Sequence, residues 1–133
     1  MKTRICMAIT MAVILVMLLP INVFAGSVTK SGATHNGAYY SLSCTATLNA
    51  GQTYGSGTTS AYAPGVGSSY YSLATTVTIH YINNYGHSAS ASGSSHGSAG
   101  ASISSGYVTS ANSFHDVISS SYGNWHAELS VLP

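Results

Sequence analysis

Four residues near the C-terminal end could do chemistry. His115, Asp116, His126 and Glu128 bring both acids of the chain and two of its six histidines within a short span. Imidazole and carboxylate together suit Zn²⁺ or another borderline metal, and they also suit an acid/base pair. Segments 112–118 and 125–132 would have to form a hairpin for these side chains to meet. Alternation along a strand then decides which of them can do so. His126 and Glu128 are two apart and share a face, whereas the neighbours His115 and Asp116 point to opposite faces. Geometry therefore disfavours a four-ligand centre built from this hairpin. His126, Glu128 and His115 are left as weak metal candidates, and their spacing matches no metal signature. The expectation is no metal and no cofactor: a surface histidine and two solvated carboxylates that guard a sheet edge.

Other catalytic constellations are equally thin. Serine abounds, but no Gly-x-Ser-x-Gly turn stands between a strand and a helix. A glycosidase needs two carboxylates at a set separation, and Asp116 with Glu128 is the only pair. The chain is expected not to be an enzyme. Its aromatic residues are more informative. Ten tyrosines exceed what a small core can absorb, and several fall in predicted turns. Tyrosine beside Ser, Gly and Asn forms adaptable recognition surfaces. Tyr70, Tyr85, Tyr122 and Trp125 are the candidate ligand-binding residues, for stacking on sugar rings or on a second copy of the chain.

Charge narrows the partners further. Beyond residue 25 the ionised side chains at neutral pH are Lys30, Asp116 and Glu128. A single lysine cannot neutralise a phosphate backbone, so nucleic acid is excluded, and an anionic lipid surface fails for the same reason. All six histidines lie in this charge-poor part, so mild acid changes its surface more than any other variable.

The elements that must position these groups read as strands. Tyr40, Leu42, Cys44, Ala46 and Leu48 alternate with polar residues, which predicts a half-buried strand with Cys44 inward. A second strand is predicted over Tyr70–Ile82, with Leu73, Thr75, Val77, Ile79 and Tyr81 on its apolar face and His80 on the other. Trp125, Ala127, Leu129 and Val131 alternate in a final strand. Segment 112–118 is ambiguous between strand and helix, and its lack of helix formers favours strand. Asn83-Asn84-Tyr85-Gly86 reads as a tight turn. The small-residue stretch His87–Gly106 has alternating alanines, which predicts two strands joined as a hairpin through Ser94–Gly97. Gly26–Gly37 reads as a flexible or edge segment, and Gly55–Gly67 as loop-rich.

The start of the chain has Lys2 and Arg4, an apolar run from Ile5 to Leu19, and Val23-Phe24-Ala25. These are the parts of a secretory signal with cleavage after Ala25, and the run falls short of a bilayer span. Residues 1–25 are thus expected to be a signal peptide and 26–133 a single secreted domain, without a membrane anchor. Cys44 is the one cysteine beyond the leader, which precludes an internal disulfide. The expected fold is all-β: a small antiparallel two-layer sandwich, or small barrel, of about six to eight short strands. The expected role is a non-catalytic binding module, for a cell-wall or extracellular glycan, or a self-assembling one. In size, lack of disulfides and β-richness the chain resembles the lactococcin-972 type of bacteriocin, which implies a small secreted antagonist as the alternative.

Overall fold

The computed structural model describes residues 25–36 and 41–132. The expected signal peptide, apart from Ala25, and the pair Tyr39-Tyr40 lie outside these residues. Among these residues, eight strands form two four-stranded antiparallel sheets. In chain order they are β1 (Gly26–Ala33), β2 (Ser43–Ala50), β3 (Tyr54–Tyr62), β4 (Ser72–Ile82), β5 (Ser88–Ser95), β6 (Ser98–Ser102), β7 (Tyr107–Ile118) and β8 (Trp125–Val131). One sheet has the order β1-β2-β3-β6 and the other β5-β4-β7-β8. The sandwich alternative is thus the right one, and the barrel is not: no ladder joins β1 to β8 or β5 to β6, so the sheets do not close.

The core follows the pleat. Leu42, just before β2, and Cys44, Ala46, Leu48 and Ala50 along it are buried while the residues between them are not. On β4 the inward set includes Thr75, Val77 and Ile79, and His80 is exposed, as its parity requires. Segment 112–118 belongs to the long strand β7, so the strand reading was the correct one. Phe114 and Ile118 are exposed and Val117 is buried. Their helix-like spacing therefore comes from two faces of one strand.

Two expectations need correction. The stretch after Gly55 is not mainly loop; it carries β3. Its inward positions are Gly55, Gly57 and Thr59 because the facing positions on β4 are bulky. A Cβ on Gly55 would lie 2.6 Å from Ile79 Cγ2, and one on Gly57 would lie 2.8 Å from Val77 Cγ2. Large side chains from one sheet fill the space left by small ones from the other. The second correction concerns His87–Gly106. Two small-residue strands do flank the Ser95–Ser98 turn, but they are not a hairpin. β5 pairs with β4, and β6 pairs with β3 in the opposite sheet. The chain arches over the sandwich edge, and Gly93 on β5 meets the carbonyl of Gly100 on β6.

Cys44 sits in the smaller of two apolar clusters, with Leu42, Ala63 and Val117. Burial pushes its thiol pKa up, against a smaller opposing effect of a hydrogen bond involving the Thr34 backbone. A buried protonated thiol is a poor nucleophile. In the folded protein Cys44 is expected to react with a disulfide reagent far more slowly than in denaturant. Fast, stoichiometric labelling under native conditions would contradict the placement of β2.

Candidate functional site

The C-terminal group divides between the two faces of its sheet. Asp116 on β7 lies directly across from His126 on β8. His126 Nδ1 is 2.7 Å from Asp116 Oδ1, and its Nε2 is 3.3 Å from Glu128 Oε1. Only the imidazolium can donate from both nitrogens, so the hydrogen bonds it gives to Asp116 first and Glu128 second raise the His126 pKa. Phe114 stacks against the ring at 6.3 Å between centroids. The cluster is exposed, and both imidazole nitrogens already face carboxylate oxygens. No group of three or more metal-type side chains arranged to hold an ion occurs among the described residues.

His115 faces the other way and is fully buried. Its Nδ1 is 2.9 Å from Thr59 Oγ1 and its Nε2 is 2.7 Å from Ser113 Oγ. Thr59 Oγ1 also lies 2.6 Å from Thr75 Oγ1 and donates to the carbonyl of Ala74 at 3.1 Å. One proton arrangement satisfies every member. Thr59 gives its hydrogen to Ala74, accepts from Thr75 and from His115 Nδ1–H, and Ser113 donates to Nε2. That assigns the neutral Nδ1–H tautomer from the network. Desolvation lowers the His115 pKa, opposed by the nearby Asp116 charge. A serine against an imidazole invites a nucleophile reading. Yet Ser113 is 1% exposed and His115 0%, so no substrate reaches them. The network bolts β3 to β4 and β7 across the sandwich.

The aromatic candidates are split between the two ends of the fold. Tyr70 precedes β4 and Tyr122 lies in the β7–β8 turn. They meet at one end, where Ser119 Oγ donates to the Tyr70 carbonyl at 2.7 Å and accepts from Tyr122 N at 3.2 Å. Tyr70 is exposed, whereas Tyr122 is half-buried against the smaller cluster. Trp125 is on the inward face of β8, packed against both clusters and seated over Gly32 of β1. Tyr85 follows β4 and so stands at the opposite end of that 11-residue strand.

At the Tyr85 end the fold makes a shallow cleft of about 360 Å³. Tyr81, Asn83 and Tyr85 line one side, and Ser102, Ile103, Ser104 and Ser105 the other. Its walls are held by backbone geometry. Asn83 Oδ1 accepts from the amides of Tyr85 and His87, each at 3.0 Å. Gly86 closes the turn at φ +80°, which favours glycine. The facing loop is tied down by Ile103 N to the Thr53 carbonyl at 2.9 Å and by Val108 N to the Gln52 carbonyl at 2.8 Å. A bulge shifts the β4–β7 register between His80 and Tyr81, directly before the cleft, as bulges beside functional sites do. Among the described residues, no Lys, Arg, Asp, Glu or His lines the cleft. Sequence reading selected Tyr85 and put Tyr81 on the apolar face of its strand, where it does pack against the core while also lining the cleft, but it passed over the loop 102–105. The turn residues were visible, but the β6–β7 loop reaches them only because β6 crosses to the other sheet.

No protein-family model, characterised protein or solved structure matches the chain.

Proposed function

We propose that the protein is a secreted, non-catalytic binding module whose ligand is an uncharged glycan. The observation that carries this reading is the cleft at the end of β4. It combines two tyrosine rings, one of them 86% exposed, with serine hydroxyls and an asparagine amide on turns fixed by backbone hydrogen bonds. A sugar ring needs an apolar plate for its C–H face and neutral donors and acceptors for its hydroxyls. An ionic ligand would find no counter-charge there. The leader-like N-terminus supports an extracellular setting, and the sealed Ser113–His115 pair supports a role without turnover.

The test is titration of the purified protein with soluble oligosaccharides from cell walls and plant polymers, together with co-sedimentation on the insoluble polymers. A saturable interaction is expected. Tyr85→Ala should weaken it about tenfold, which is about 1.4 kcal/mol, while Tyr70→Ala at the far end leaves it unchanged. Both variants should unfold at the same denaturant concentration as the parent. An interaction equally sensitive to both changes, or no saturable interaction across the panel, would overturn the reading.

A further inference from the structure

The four sheet edges are not treated alike. A free edge offers unpaired amides and carbonyls to any other strand, and folds blunt such edges with inward-register charges, charged side chains, shortness or bulges. On β1, Lys30 takes a position of inward parity, between Val28 and Gly32, and yet is exposed. On β8, His126 and Glu128 carry the acid–imidazole cluster. β6 has only five residues, and Gly100 on it is covered by Gly93 of β5.

β5 shares that contact at Gly93 but has no other of these devices among the described residues. It runs eight residues with no charge, no proline and no bulge, paired to β4 in unbroken register from Ile82↔Ser88 to Thr75↔Ser95. Its outer face is Ser88, Ser90, Ser92 and Ser94, all exposed, and its inner face is Ala89, Ala91 and Gly93. Apart from its ladder with β4, it makes no backbone hydrogen bond to another strand among the described residues. Among the described edges β5 is the least guarded, and it is the longer of the two that carry no charge.

We propose that β5 is the pairing edge for a second copy of this chain, joining two β5-β4-β7-β8 sheets into one eight-stranded antiparallel sheet. The sequence of β5 suits itself as partner. An isologous two-fold contact sets each residue against its own strand, so a charged edge would repel its copy, and this edge brings only Ser against Ser and Ala or Gly against Ala or Gly. The outer hydroxyls already ladder inward, with Thr78 Oγ1 to Ser92 Oγ at 2.9 Å and Thr76 Oγ1 to Ser94 Oγ at 3.1 Å, and a second β5 extends that ladder. The two-fold places the Asn83–Gly86 turns at opposite ends of the paired strands. The dimer thus presents two clefts, which raises avidity for a repeating polymer.

Analytical ultracentrifugation of the purified protein over a concentration series tests this directly. The expected result is a reversible dimer at about 0.1 mM. Ser90→Lys and Ser90→Glu should each raise the dissociation constant at least about tenfold, and mixing the two should restore association as a heterodimer. Ser31→Lys on β1, the same charge placed on another edge, should leave association unchanged. Circular dichroism and native Cys44 reactivity identify any variant that fails to fold. A strictly monomeric parent overturns the proposal. So does a dimer that survives both Ser90 variants, or one that Ser31→Lys breaks. The saccharide titration reads the cleft separately, so either result stands without the other.

Discussion

Gly93→Ala is expected to cost about 3 kcal/mol or more of folding stability. A methyl group at this position falls on the carbonyl oxygen of Gly100. Both partners are main chain, so no rotamer change relieves the overlap. Gly93 is held in register with Val77, and Gly100 with Ser56. Separating the two strands would therefore strain both sheets near the fully buried Val77. Gly93 is not among the glycines with positive φ, so the backbone itself accepts alanine. In an open site the substitution would be neutral or slightly stabilising through loss of unfolded-state entropy. Gly67 provides that comparison: it has a negative φ, and its nearest neighbour to a new Cβ is 3.7 Å away. Urea unfolding of Gly93→Ala and Gly67→Ala should therefore shift in clearly different amounts, with Gly93→Ala far less stable. Equal midpoints would mean that β5 and β6 do not meet as described.

That contact also shows where sequence reading stops. Period-two alternation was enough to find β2, β4 and β8, because each puts Leu, Val or Ile on alternate positions. It failed at β3, where the inward residues are Gly55, Gly57 and Thr59. Their smallness is dictated by Ile79 and Val77 in the other sheet, and a single segment carries no trace of that. The small-residue strands β5 and β6 were legible as strands. Their division between sheets was not, since alternation gives a strand's faces but not its neighbour. β7 carries a further trap. Val108 and Ala111 are both buried although they differ in parity, because Thr109 is skipped where Tyr81 pairs with Val108 and His80 with Ser110. At the site, the opposed faces of His115 and Asp116 and the shared face of His126 and Glu128 followed from parity alone. That Asp116 would lie across from His126 depended on the length of the Ser119–Asn124 turn. The cleft depended on a crossover, and four of its seven lining residues went unseen.

Mild acid is expected to weaken the fold through His115. Unfolded, its imidazole titrates near about 6.5; folded, burial holds the pKa lower. Below the unfolded pKa the unfolded chain takes up a proton that the native state resists, so stability falls as the pH drops through that range. Above it, this group adds no pH dependence. The structural reason is that a proton on Nε2 removes the acceptor for Ser113 and places a charge among Thr59, Thr75 and Ser113, where no carboxylate faces it. Asp116, on the outer face, only moderates the effect. His126 acts with the opposite sign. Its folded pKa is raised, so it contributes stability that is present below the unfolded pKa and lost as the pH rises through the folded one. With half of its side chain exposed, solvent screens that contribution, and the buried residue dominates. Denaturant midpoints at pH 7.5 and 5.0 separate the two. The parent should be less stable at the lower pH, and His126→Gln should show a steeper loss. His115→Gln should start about 2 kcal/mol lower at neutral pH, because Ser113 and Thr59 lose well-placed partners, and then lose less on acidification than the parent. If the parent gains stability in acid, or if His115→Gln keeps the parent's slope, the neutral buried imidazole is not what ties the two sheets together.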